Sequence, residues 1–523
     1  MVYRMRGVLR RARGFGQQRL ILAAIGLFLG LILIWLPLPW IAGLIIASIA
    51  CGVAVLQPAF GLALALVFGP GKALAWEALA LIPVDPGQIL IALTFAGWAL
   101  RRLAERHILV PLSPITAPLL VYVGVGAISL WGAVDPIEGL MELFKWLQVV
   151  AVAVIVLDVS RHGQLTWIVA AALLSGVLQA GIGLWQFELR GTGPAAFEVA
   201  DGRYRAYGTF EQPNPFGGFM GLVWPLSFAV AIANLRRTPF GELRSGLTPV
   251  IHKHFITSSV VGVTVITGLA LFASYSRGAW IGSLAAAAIM LTFWPRRRWQ
   301  GITLAAVILT ILMFLSGVGW LPQGAVERLA SITEFAKASD MRGVEITTSH
   351  FSVIERIAHW QAAVSMAKAH PWLGVGLGNF EVAYQDFRLV NWQYGLGHAH
   401  NIYLNVAAET GMIGLAAYLY FWSVVFILTL RTLATNQVWE RTLAFGLLGV
   451  WTHLCVHNLV DNLFVNNVHL YIGALLGLLS VLLERTGVAR RTFQRKAEDH
   501  ARLQDKGMRV NRVMVVDKVQ RSV

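Results

Sequence analysis

Runs of about 20 mostly apolar residues recur along this chain of 523 residues. At about 1.5 Å of rise per residue, each run matches a hydrocarbon core of about 30 Å. Candidate spans lie near 20–38, 40–56, 60–81, 87–101, 114–133, 139–157, 164–186, 213–235, 256–275, 278–295, 301–320, 409–430, 440–460 and 466–484. The pattern predicts an all-α polytopic membrane protein of about 12–14 transmembrane helices. Composition agrees: 57% of residues are hydrophobic and 13% are charged. Soluble domains carry about 25% charged residues. A soluble enzyme, a disordered chain and a secreted disulfide scaffold are excluded. Trp35, Trp40, Trp131, Trp167, Trp294 and Trp320 sit near span ends, where an interfacial belt places them. Cys51 and Cys455 lie inside apolar runs and read as small buried hydrophobes.

The formal charge is +15, from 42 Lys and Arg against 27 Asp and Glu. The basic residues fall mostly in short connections and tails. The positive-inside rule accounts for them better than nucleic-acid binding does, and no nucleic-acid partner is expected. Arg4, Arg6, Arg10, Arg11, Arg13 and Arg19 precede the first span, which reads as a membrane helix with a cytoplasmic start, not a cleaved leader. Counting from there, Arg101, Arg102, Arg161, Arg236, Arg237, Arg431 and the tail fall inside. Residues 187–212, the turn 274–277 and the segment 321–408 fall outside. The expected organisation is a basic cytoplasmic N-terminus (1–19), a transmembrane bundle (20–320), a large extracytoplasmic loop with an amphipathic helix (321–408), C-terminal membrane helices (409–484) and a basic cytoplasmic tail (485–523) near anionic lipid. Within the loop, Ser352-Val-Ile-Glu355 reads as a capping box opening a helix that Pro371 stops. Trp360 is expected on the membrane surface.

Certain polar residues sit where a membrane protein does not need them. Arg203 and Arg205 lead into a span from outside, and Arg277 lies in a two-helix turn on the same side. Guanidinium groups at separate helix mouths can grip a phosphate or diphosphate, or snorkel and pair with Asp201 or Glu211. His398 and His400 end the outside loop. A general base, a metal ligand and a polar helix start are all compatible with them; no nearby Cys or acidic cluster completes a metal set. His453, His457 and Asp461 follow i, i+4, i+8 spacing with Asn458 and Asn462 beside them. That pattern suits a proton path, a shell orienting a catalytic group, or inter-helix hydrogen bonding. Glu142 and Lys145 read as a local ion pair. Gly374-Val-Gly-Leu-Gly378 follows a helix, not a strand, so a dinucleotide site is rejected.

Five strings in order resemble the family of O-antigen ligases and O-antigen polymerases of bacterial envelopes. They are Arg205-Ala-Tyr-Gly-Thr-Phe-Glu-Gln-Pro-Asn-Pro-Phe-Gly217, Tyr275-Ser-Arg-Gly-Ala-Trp-Ile-Gly282, Glu355-Arg-Ile-Ala-His-Trp360, His370-Pro-Trp-Leu-Gly-Val-Gly-Leu-Gly-Asn-Phe380 and His398-Ala-His-Asn-Ile-Tyr-Leu404. The resemblance covers roughly residues 114–484. It implies a GT-C-type, metal-independent, inverting glycosyltransferase with no cofactor. The donor it implies is an undecaprenyl-diphosphate-linked glycan and the acceptor a glycan or lipid-glycan. The implied location is the cytoplasmic (inner) membrane, with the active site facing outward. By motif, Arg205 and Arg277 look like the diphosphate-binding pair. His400 looks like the residue that activates the acceptor hydroxyl, with His398 as the alternate. Arg203, Arg356, Asp461 and Asn401 look like supporting residues.

The competing reading is a polytopic transporter or lipid-linked glycan flippase. That class concentrates charge near the bilayer midplane and repeats its halves. Here the informative residues gather at one face and no halves repeat, which favours the enzyme.

Overall fold

The computed structural model describes residues 38–71, 85–106, 110–200, 202–236, 247–295, 297–318, 351–390 and 392–488. The basic N-terminus, nearly all of the first expected span, residues 321–350 and the tail from 489 lie outside the described residues.

The described chain is helical except for one small hairpin. The helices are α1 (Leu38–Leu56), α2 (Pro58–Phe68), α3 (Pro86–Ala104), α4 (Thr116–Ser129), α5 (Pro136–Arg161), α6 (Leu165–Glu188), α7 (Pro213–Arg236), α8 (Leu247–Ala273), α9 (Arg277–Phe293), α10 (Arg298–Gly317), α11 (Phe351–Ala369), α12 (Phe380–Phe387), α13 (Ile402–Leu433), α14 (Val438–His457) and α15 (Val468–Arg485). β1 (Glu198–Ala200) and β2 (Arg203–Tyr204) pair antiparallel between α6 and α7. Among the described residues, six helices are long and apolar enough to cross a membrane, and several shorter apolar helices accompany them. The protein is an all-α, multi-pass membrane protein.

Two expected boundaries move. Of the span expected at 60–81, the described part is a helix to Phe68 and then a short 3₁₀ turn over Gly69–Gly71; residues 72–81 lie outside the described residues. Gly69 and Pro70 are poor helix formers, which accounts for the early stop. The helix expected from 409 begins at Ile402, because Asn401 caps it: Asn401 Oδ1 accepts from Tyr403 N–H at 3.0 Å and Leu404 N–H at 3.1 Å. This helix breaks at Gly411 (φ 66°, ψ −170°). The N–H groups freed at the break donate to Pro371 O at 2.8 Å and Trp372 O at 3.4 Å.

The core sits where α7, α9 and α14 pack together and where α5 packs on α15. In a bilayer, helix association depends on close van der Waals fit, so small residues mark the contacts. Gly221 of α7 faces the ring of His453 on α14 with no room for a Cβ. His453 Nε2–H donates to Gly218 O at 3.0 Å, and its Nδ1 lies 3.1 Å from Ser283 Oγ on α9. One histidine thus joins three helices. At the opposite end, Asp158 accepts from Arg102 at 2.8 Å and from Trp98 Nε1 at 2.7 Å.

Candidate functional site

The arginines are set by local structure. Arg205 follows the hairpin: its N–H donates to Phe197 O, and the next N–H to Ala273 O at 2.9 Å. Its Nε then donates to Ser274 O at 2.9 Å and its Nη2 to Asn214 Oδ1 at 3.0 Å. Arg277 is the first residue of α9, after the N-cap Ser276. Its Nη2 donates to Ser352 Oγ at 2.8 Å. Arg356 lies one turn along α11 from Ser352, and its buried Nε makes no hydrogen bond among the described residues. Arg205, Arg277 and Arg356 line one cavity of about 120 Å³, with Asn214, Tyr275 and Asp461. Three guanidinium groups face one carboxylate, and the positive end of α9 adds to their field. Such a place favours an anion with several oxygens.

The histidines stand behind Asp461. Leu396, Gly397 and His400 all have positive φ (50°, 80° and 51°), which folds residues 396–400 into a tight loop. A non-glycine residue in this region costs roughly 1–2 kcal/mol, so surrounding bonds must hold it. They do: Asn405 Oδ1 accepts from Ala399 N–H at 2.9 Å, and His398 Nδ1 accepts from His400 N–H at 3.1 Å. Trp360 Nε1 donates to His400 O at 3.3 Å. The His398 and His400 ring centroids are 4.4 Å apart. His400 Nδ1 lies 3.5 Å from Asp461 Oδ1, and His457 Nε2 lies 3.8 Å from Asp461 Oδ2. Neither ring nitrogen of His400 reaches hydrogen-bond geometry, and both are shielded from water.

Burial alone would raise the Asp461 carboxyl. The neighbouring His400, with the charges of His457 and Arg356, outweighs it and holds the carboxyl far below the usual range. His398 is pushed down to about 3, first by burial and then by the neighbouring His400 charge, which Asp461 only partly offsets. His359, whose ring lies 5.5 Å from that of His400, is also lowered, chiefly by burial.

Several expected residues fall elsewhere. Arg203 turns away from the cavity, 3.5 Å from Glu188 and 5.7 Å from the ring centroid of Phe187, both on α6. Strand β2 ends at Tyr204, so Arg205 lies beyond it and strand alternation does not tie its side chain to the face that Arg203 takes. Asn401 is spent on its helix cap and on Leu459 O, which its Nδ2 meets at 2.9 Å. Asp461 is not on the helix of His453 and His457: α14 ends at His457 and the chain turns at Asn458. His453 has partners at both nitrogens, which fits inter-helix bonding and leaves no site for proton relay. Ser352 is not a cap; it lies inside α11 and receives Arg277. Trp360 packs inward on the histidine loop, not on a membrane surface. The Glu142–Lys145 ion pair forms at 2.6 Å.

Sequence reasoning missed Asn214, Ser352 and His359. Asn214 and His359 stand inside the quoted strings and Ser352 in the expected capping box, but nothing local gives them a place at the site; the meeting of α7, α9 and α11 does. It also missed that Asp461 completes a cluster in which His398, His400 and Asp461 place their ligand atoms within 4.8 Å of one another, close enough to hold a metal ion.

Residues 262–419 match the family model described as O-antigen ligase. No curated protein matches the chain.

Proposed function

We propose, from the match of residues 262–419 to the O-antigen ligase family model and from the site geometry, that this protein transfers a glycan from undecaprenyl diphosphate to a sugar hydroxyl at the outer face of the cytoplasmic membrane. The observation that carries the reading is the convergence of Arg205, Arg277 and Arg356 on one cavity whose wall is Asp461, with His400 directly behind.

The diphosphate lies among the guanidinium groups. As the bond from the anomeric carbon to the bridging oxygen breaks, negative charge grows on the departing lipid diphosphate. Fixed cations stabilise that charge more than they stabilise the bound donor. Asp461, whose Oδ1 stands 3.5 Å from His400 Nδ1, favours a proton on that nitrogen by its charge and leaves Nε2 as the base. The acceptor oxygen bonds to the anomeric carbon as its proton passes to Nε2. A single displacement inverts that carbon. The His398 Nδ1 lone pair is taken by the backbone of His400, so a neutral His398 presents Nε2–H, a donor. His398 therefore positions the acceptor and does not deprotonate it. Permanently charged arginine fulfils the role a divalent cation would take, which makes the transfer metal-independent.

The test is a deletion strain with lipid-linked and surface glycans displayed by size. Full-length glycan stranded on its carrier supports ligation. Single repeats transferred without longer ladders support polymerisation. Unchanged profiles on both displays overturn the reading.

A further inference from the structure

On the far side of the histidine loop lies a second cavity of about 640 Å³. His398 lines it, whereas Asp461 lines the arginine cavity. Between these two residues stands His400, its ring 4.4 Å from that of His398 and its Nδ1 3.5 Å from Asp461, so the three side chains form the partition at this point. The cavity's charges are opposite to those across the partition. Glu138, Glu142, Glu381 and Glu409 line it, against Lys145 alone among cations. Glu142 already holds Lys145. Glu409 is held by the backbone N–H groups of Gly378 at 3.0 Å and Phe380 at 3.3 Å. Glu138 and Glu381 are exposed and make no ion pair among the described residues.

A carboxylate cluster alone would say nothing about a ligand. Tyr122 says more. It lines the same cavity, is 2% exposed, and its hydroxyl makes no hydrogen bond among the described residues. A hydroxyl at such depth is ordinarily partnered. Its ring is fixed edge-on against Trp146 and Tyr418, at 4.7 and 5.3 Å between centroids, so the hydroxyl is held in place for a partner from outside the chain. Trp146 and Phe464 add aromatic walls. Apolar walls with a few fixed polar groups are the make-up of a small-molecule site.

The cavity continues into a third of about 680 Å³, with which it shares Met141, Lys145, Phe464 and Val465. There Ile137, Leu140 and Phe144 of α5 are largely exposed, an apolar flank against which a lipid chain can lie.

We propose that this second cavity is the acceptor subsite, and that it takes an uncharged or amino-bearing sugar on a lipid anchor while disfavouring a phosphorylated one. The proposal rests on the transfer reading for the word acceptor, but its binding content stands apart. Carboxylates accept hydrogen bonds from sugar hydroxyls and attract an ammonium group. They repel a phosphate, which like-charge contact in a partly enclosed site penalises. The charge reversal across the partition keeps the two substrates apart: the diphosphate is drawn to the guanidinium side and the acceptor head to the carboxylate side.

The experiment uses the full chain in lipid nanodiscs and calorimetric titration with three probes: dodecyl β-D-glucoside, its 2-amino-2-deoxy analogue, and dodecyl β-D-glucoside 6-phosphate. The amino analogue is expected to bind at least as tightly as the glucoside, and the phosphate at least about tenfold more weakly than the glucoside. Glu138→Gln with Glu381→Gln should shrink that gap to about threefold or less, because both carboxylates are exposed and serve no fold contact. Tyr122→Phe should weaken the first two probes by roughly three- to tenfold. Equal binding of all three probes by the unaltered protein overturns the proposal, as does indifference to all three substitutions. Absence of glycan transfer in the same nanodiscs, with probe discrimination intact, overturns the transfer reading and leaves the subsite standing.

Discussion

His400 Nδ1 stands 3.5 Å from Asp461 Oδ1, although 61 positions separate the two residues, because α13 and α14 lead the chain away and bring it back to the same end of the bundle. Asp461→Asn keeps the size of the side chain and removes the charge that orients the ring. Glycan transfer in isolated membranes should fall by about 10²–10⁴-fold, as when a positioned base is lost. His400→Gln should lose as much, and the double variant little more, because the two act as one unit. The Asp461 carboxyl is held below its usual range, so its stabilising contribution is present above its unfolded value of about 4 and is lost only as pH falls through the lower folded value. Between pH 5 and 8 activity should therefore not follow Asp461.

The linkage at His398 has a different window. Its folded value is about 3, below the unfolded value of about 6.5. Between these the unfolded chain binds more protons, so stability falls as pH falls from about 6.5 toward 3. His359 acts in the same direction. His398→Gln should reduce the loss of melting temperature between pH 7 and 5, followed by intrinsic fluorescence in detergent. An unchanged loss would show that His398 does not resist protonation.

Arginine geometry should matter beyond charge. Arg205 is tethered at two points, to Ser274 O and Asn214 Oδ1, which a lysine cannot reproduce. Arg205→Lys and Arg277→Lys should each lower transfer by about tenfold or more, and the alanine variants by about 10²-fold or more. Arg203→Ala, whose partner is Glu188, should stay within about twofold. A set of single variants compared at equal membrane abundance checks this order.

The grouping of His398, His400 and Asp461 permits a metal to bind without the reaction needing one. Transfer should persist in EDTA. Added Zn²⁺ should inhibit by capturing the His400 ring, and EDTA should reverse the inhibition. Loss of activity in EDTA, restored by Mg²⁺ or Mn²⁺, would overturn the arginine-only mechanism.

Gly221→Leu should abolish stable insertion, because any side chain there meets the His453 ring that ties α7 to α9 and α14. Size-exclusion chromatography in mild detergent should give aggregate where the unaltered protein gives one peak.

The helices were readable because apolar runs of membrane length leave few alternatives, and the strings around Arg205, Arg277 and His400 were readable because they interrupt such runs with charge. Three kinds of feature were not. Asp461 looked helical by its spacing, since a period of four does not reveal that a helix stops at His457. Trp360 looked like an interfacial residue, since an amphipathic stretch does not reveal which object covers its apolar side; here the histidine loop does. The acidic chamber was invisible because Glu138 and Glu142 on one helix, Glu381 on a short helix and Glu409 at a distant helix start meet only through the Gly374–Gly378 turn, whose positive φ values wrap the backbone against them.

The break at Gly411 gives the two parts of α13 separate anchors. The first part, 402–410, belongs to the histidine loop and to Glu409; the second begins beneath the carbonyls of Pro371 and Trp372. A bilayer that thins or thickens will tilt the lower rod about that seam, where the backbone bonds are already satisfied. The imidazoles of the histidine loop are anchored on the other side of that seam, so the proposed base and the lower rod answer to different contacts.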